Sequence, residues 1–171
     1  AEVELRCARS EVARTARPDL LARLELARCA AQVAALDAAP CSGYDAVATD
    51  AAEPEQAYAR YLRGQLSAAD VALLPKAQQA IATQQAAQAA ATLAAIEDPL
   101  SRLVAAGALA VRGPLPMAVV QQAVDTASAQ GWRRALLAWL INQQRLAQEQ
   151  GDTALAAQVQ RRLDLLQAAN K

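Results

Sequence analysis

Apolar residues recur along this chain at helical rather than alternating spacing, and few stretches alternate as a half-buried strand would. Leu20, Leu21, Leu24, Val33 and Leu36 mark one side of a single helix, because residues three and four apart share a face when the backbone winds as an α-helix. Proline, glycine and capping residues then set where each helix starts and stops. A first helix is predicted over residues 2–16 and a second over 18–36, opened by Pro18 at the first helical position. The pattern lapses over residues 37–54, where Pro40, Gly43 and Pro54 stand among Asp37, Asp45, Asp50 and Glu53 with no basic residue, as expected of an acidic surface loop.

Helical spacing returns over residues 55–63, which present Tyr58, Tyr61 and Leu62 and end at Gly64. Ser67 followed by Asp70 is a variant of the capping box and opens the next turn, which Pro75 ends or kinks. Residues 76–97 are nearly all alanine and glutamine, with only Ile81, Leu93 and Ile96 as larger apolar side chains. Propensity alone predicts helix there, on a stripe too thin to bury strongly. Asp98-Pro99 restarts the chain as an N-cap with proline behind it, and Gly113-Pro114 breaks that helix. Three more helices are predicted over 116–130, 132–150 and 152–169, the last two joins made by Gly131 and Gly151. Short turns make successive helices antiparallel neighbours. The expectation is therefore an all-α single domain of seven or eight antiparallel helices: a hairpin over 1–36, the acidic loop over 37–54, and a bundle or αα-repeat array over 55–171.

One stretch carries a family resemblance. From Leu140 to Leu166, Gly151-Asp152 lies between two helices with the small Ala156 four residues after the aspartate, and this resembles a tetratricopeptide repeat turn. About one repeat length matches, and the chain departs from the pattern at several points. Trp139 is one place off the usual tryptophan, Gln144 replaces a small residue, Ala147 and Gln160 replace aromatics, and the closing proline is missing. The resemblance implies a helix-pair scaffold for a peptide or protein partner, without assigning a ligand site.

Composition sharpens the picture. The 171 residues are 54% apolar, but phenylalanine is absent and methionine occurs once, so the core is expected to rest on Leu, Val and Ala in closely packed helices. Seventeen basic and seventeen acidic side chains balance, which gives no overall field toward nucleic acid or an anionic membrane. No apolar run approaches the roughly 18 residues of a membrane span. The Ala1-Glu2 start fits removal of a signal peptide and equally a trimmed chain. Export to the periplasm or beyond is the favoured expectation and a cytoplasmic location the alternative. A lipid anchor upstream of Ala1 is left open.

Absences restrict the chemistry. Without histidine there is no Ser-His-Asp or Cys-His machinery. Lysine occurs only at 76 and 171, and no glycine-rich phosphate loop is present. No cofactor, metal site or catalytic residue is expected. Catalysis, as an alternative, would fall to the carboxylates Asp37, Asp45, Asp50, Glu53 and Glu55, whose spacing does not fit an EF-hand loop. The thiols Cys7, Cys29 and Cys41 all lie in the first quarter of the chain. A hairpin turning near Pro18 sets Cys7 and Cys29 at one height, which slightly favours that pair as a disulfide over Cys29–Cys41. Arg6, Arg9 and Arg28 flank these cysteines and would favour reactive thiols, the lesser alternative. Trp132, Leu136 and Trp139 share a helix face, and Tyr58 and Tyr61 lie one turn apart. Exposed, the four aromatics are candidate anchors for a protein partner; buried, they fill a core short of large side chains, the reading favoured for the tryptophans. Arg133-Arg134 reads as a solvated face. The functional expectation is a non-catalytic protein-binding module, an exported bacterial-type protein that caps or inhibits its partner. A cytosolic tetratricopeptide-like adaptor and a carboxylate enzyme are the alternatives.

Overall fold

A computed structural model describes residues 2–168, and the side chains from residue 3 onward. Among them the chain forms ten α-helical stretches and no strand: α1 (Glu2–Arg14), α2 (Pro18–Ala34), α3 (Ser42–Asp45), α4 (Glu53–Leu62), α5 (Lys76–Ala82), α6 (Ala90–Ala94), α7 (Pro99–Arg112), α8 (Met117–Ala129), α9 (Arg133–Glu149) and α10 (Thr153–Ala168). Three 3-10 turns intervene, at Ala48–Asp50, Ala68–Leu73 and Ala86–Gln88. The all-helical class is as expected, while the number of helices exceeds the seven or eight predicted.

Two breaks account for most of the excess. The alanine-glutamine stretch is α5, a 3-10 turn and α6 rather than one helix. The broken path buries Ile81, Leu93 and Ile96, all three. Arg112 holds the break by donating to the carbonyls of Ala82 and Gln84, two acceptors that the end of α5 leaves without helical partners. The acidic stretch is also more structured than a solvated loop. Tyr44 and Ala51 are buried, and Arg63 lies over the Tyr44 ring at 5.6 Å while pairing with Asp45.

Helix α7 is the axis of the fold. Every residue from Leu103 to Leu109 is buried, a helix enclosed on all sides, and α2, α4, α5, α6 and α8 all pack on it. Small side chains allow this enclosure. At Gly107 the backbone carbonyl of Val33 in α2 comes so close that an added Cβ would lie 2.1 Å from its oxygen. The core continues without interruption from Ala22 in α2 to Leu163 in α10.

The C-terminal helices form successive hairpins. Gly131 and Gly151 take left-handed φ values of 65° and 72°. The amides of Trp132 and Asp152 reach back to the carbonyls of Ala127 and Ala147 at 3.0 and 2.9 Å, the hydrogen bonds of a Schellman ending. The same bonds end α2, where Asp37 N–H reaches Gln32, but there Leu36 supplies the positive φ of 52°, a conformation that costs a residue with a Cβ about 1 kcal/mol. Ser67 and Asp70 form the predicted capping box, though the turn it opens is 3-10. Asp70, nearly buried, also takes a two-pronged hydrogen bond from Arg60 in α4. Those donors hold its carboxyl well below the ordinary value, Arg60 first and the Ser67 amide second.

Two consequences are measurable. Gly107→Ala should lower stability by about 1–3 kcal/mol in urea denaturation, because the Val33 backbone cannot yield as a flexible side chain would; an unchanged midpoint would refute the close α2–α7 contact. Because the folded state lowers the Asp70 pKa, the stability it contributes is present above its unfolded value near 3.8 and is lost as pH falls toward the lower folded value. Asp70→Asn should therefore be destabilising at neutral pH, and its deficit relative to wild type should shrink below about pH 4. A deficit constant with pH would count against that assignment.

A candidate binding groove rimmed by arginine

Helix α1 rests on α2 through a half-buried stripe of Leu5, Ala8 and Val12. None of its described side chains is fully buried. Between α1, the exposed side of α2 and the starts of α7 and α9 runs a groove of about 840 Å³. Its floor is small: Ala27, Ala31 and Ala35 of the α2 face and its C-cap. Leu100 of α7 and Trp132, just before α9, stand at its edge with 45% and 36% of their surfaces exposed. The rim is basic, with Arg6 and Arg9 from α1, Arg28 from α2, and Arg133 and Arg134 from α9. A chain with zero net charge thus concentrates five guanidinium groups on one groove.

The internal counter-ion is Glu25. Its carboxylate is 3% exposed, 3.2 Å from Arg9 and 3.8 Å from Arg28. Its other side is closed by α3, where a Cβ at Gly43 would lie 2.1 Å from the carboxylate oxygen. The disulfide Cys29–Cys41, with Cα atoms 5.6 Å apart, ties the chain entering α3 to α2 one turn after Glu25. Glycine, disulfide and carboxylate together hold Arg9 and Arg28 at the groove. At the far end Arg134 pairs with Asp37 at the exit of α2, and Arg133 donates to the Leu166 carbonyl of α10 at 2.5 Å. Arg6 makes no ion pair or hydrogen bond among the described residues.

The expected disulfide is corrected. Cys29 points into the core and bonds Cys41, while Cys7 is exposed and free. The equal height inferred for Cys7 and Cys29 ignored rotation about the helix axes: the face of α1 turned to α2 carries Leu5, Ala8 and Val12, and Cys7 lies off it.

The aromatic candidates separate. Trp139 is wholly buried and its indole N–H donates to the Ala34 carbonyl at 2.9 Å, satisfying an acceptor at the end of α2. It fastens α9 to α2 and is not a surface anchor. Tyr61 is likewise buried, its hydroxyl donating to Gln78 at 2.8 Å, and burial raises its pKa. Tyr58 stacks on it with ring centroids 6.0 Å apart, and burial pushes its phenol up to about 12. Tyr61 is thus enclosed in the core, while Tyr58 is half-buried. Of the four aromatic candidates, Trp132 alone stands exposed.

The acidic residues are dispersed. Asp37, Asp45 and Glu55 are each taken by an arginine, Arg134, Arg63 and Arg23 respectively. Among the described residues no three cysteine or carboxylate groups gather where they could hold a metal ion. Nor is any described helix long and apolar enough to cross a membrane.

The groove itself was not legible as such. In the sequence Arg9 and Arg28 stand out only as neighbours of cysteines, Leu5 and Arg6 only as residues before Cys7, and Leu100 only as one of the apolar positions of its helix. A faint signal exists in Leu24, Ala27, Arg28 and Ala31, a helix face floored by alanine and edged by charge. Compared with known protein families, curated proteins and solved structures, the chain matches none.

Replacing either disulfide partner tests this arrangement. Cys29→Ser and Cys41→Ser should destabilise equally, by about 3 kcal/mol on chain-entropy grounds for so short a loop, while Cys7→Ser leaves the unfolding midpoint unchanged. A reactive Cys29 thiol in Cys7→Ser, or equal losses for all three, would contradict it.

Proposed function

We propose that this chain is a non-catalytic protein-binding module of the exported kind, which seats a segment of a partner protein in the α1–α2–α9 groove and thereby caps or inhibits that partner. The observation that carries this reading is the joint exposure of Trp132 and Leu100 beside an alanine-floored groove rimmed by arginine. Tryptophan and arginine dominate the energetics of protein interfaces, and a concave, partly apolar site of this size is where they act most strongly. Two further features support the setting. The Cys29–Cys41 bond suits an oxidising compartment, and Asp37, Asp45 and Glu55, three of the five carboxylates of residues 37–55, are engaged by arginines. The hairpins of α8, α9 and α10 suit a scaffold role of the tetratricopeptide kind.

Affinity capture from a bacterial periplasmic extract, comparing wild type with a Trp132→Ala, Leu100→Ala double variant, is the direct experiment. A specific protein should be retained by the wild type and lost from the variant by about tenfold or more, the scale of one or two anchor side chains. Both side chains are well exposed, so circular dichroism should show the variant folded. Nothing retained at low and moderate salt, or equal retention by both, would rule the reading out.

A further inference from the structure

We infer that the segment held in the groove is acidic and carries a leucine-like side chain: carboxylates on the guanidinium rim, the apolar side chain on the alanine floor between Leu100 and Trp132. The inference deepens the protein-binding reading and rests on it. Its first support is the excess of donors. A guanidinium offers five N–H groups. Arg9 brings only Nε to 3.2 Å of Glu25, and Arg28 approaches it at 3.8 Å. Their side chains are about half exposed, and Arg6 is engaged by nothing among the described residues. Among the described residues Glu25 and Asp37 are the carboxylates that pair with Arg9, Arg28 and Arg134, and Arg6 pairs with none, so four guanidinium groups face two carboxylates and positive charge is left over at one place in a neutral chain.

The second support is that Glu25 already displays the required recognition. A carboxylate enclosed on one side by Gly43 draws two arginines toward it from α1 and α2, and the outward edges of those arginines repeat the same chemistry toward the groove. The third is shape. The floor residues Ala27 and Ala31 leave depth that a larger side chain would fill, while Leu100 and Trp132 supply apolar walls. An apolar side chain seated there removes two exposed hydrophobic surfaces from water and strengthens the neighbouring ion pairs by excluding solvent. A nucleic acid strand fits less well, because successive bases want successive aromatic platforms and Trp132 is the single aromatic residue of the groove. An anionic membrane surface is flat, and the alanine floor is recessed from it.

The test titrates the intact protein with a blocked nine-residue peptide of Glu-Glu-Leu repeats and follows tryptophan emission, in which Trp132 responds and the buried Trp139 serves as an internal reference. Parallel titrations use the same peptide with every Glu replaced by Gln, phosphatidylglycerol vesicles and a thymidine oligonucleotide. The acidic peptide should bind at least about tenfold more tightly than its neutral counterpart, lose most of that advantage on raising salt, and weaken about five- to tenfold on Arg6→Glu. Arg6→Glu should fold normally because Arg6 makes no ion pair or hydrogen bond among the described residues; Leu100→Ser provides a second variant, weakening the peptide without changing its salt dependence. Equal binding of the two peptides, absence of binding at millimolar peptide, or preference for vesicles or oligonucleotide overturns the inference. If the acidic peptide fails while a captured partner still depends on Trp132, the protein-binding reading survives and only the chemistry of the occupant is wrong; if capture fails too, both fall.

Discussion

The contact between Gly107 and the Val33 carbonyl sets the distance from α2 to α7, and most of the molecule is arranged around that distance. A core without phenylalanine gains little area per residue. It compensates by bringing helix backbones together, so that many small contacts replace a few large ones. Helix α7 can be enclosed on every side because Ala105, Ala106, Gly107 and Ala108 present almost no bulk to the helices around them. Polar side chains then close what close packing leaves open. Trp139 satisfies the end of α2, Arg112 the end of α5, and Gln78 links the Tyr61 hydroxyl to the Ser101 carbonyl of α7.

The same economy shapes the groove. The α2 face turned from α7 carries alanine where a larger core would carry leucine, and α1 covers that face only in part. What remains is a recess rather than a filled seam. Its charge follows from where the acids go. Asp45 and Glu55 are drawn to Arg63 and Arg23 away from the recess, and Glu25 is taken inside. The disulfide contributes by fixing α3, which backs the Glu25 carboxylate, so a covalent restraint in the core supports an electrostatic arrangement at the surface.

Local signals along the chain had differing reach. Asp98 caps α7 as its position before Pro99 implied, accepting from the Ser101 amide at 2.7 Å, because capping is decided within four residues. The glycine turns after α8 and α9 were legible for the same reason. Alanine propensity misled at residues 76–97, where tertiary packing breaks the stretch into two short helices and a 3-10 turn that bury Ile81, Leu93 and Ile96. Pairing of cysteines misled too. Sequence separation fixed height along a hairpin but not rotation about each helix, and rotation placed Cys7 in solvent.

The sequence by itself determined the all-helical class, most helix boundaries and the absence of histidine chemistry, since periodicity, capping and composition act locally and need no partner segment. Tertiary structure alone decided which of two similar tryptophans is a core strut and which stands at a surface. Trp132 and Trp139 lie on one helical pattern, yet the end of α2 accepts a hydrogen bond from the second and leaves the first at the rim. It alone gathered arginines from α1, α2 and α9 around one groove. Residues more than a hundred positions apart meet only when the helices pack, and no local preference encodes that meeting.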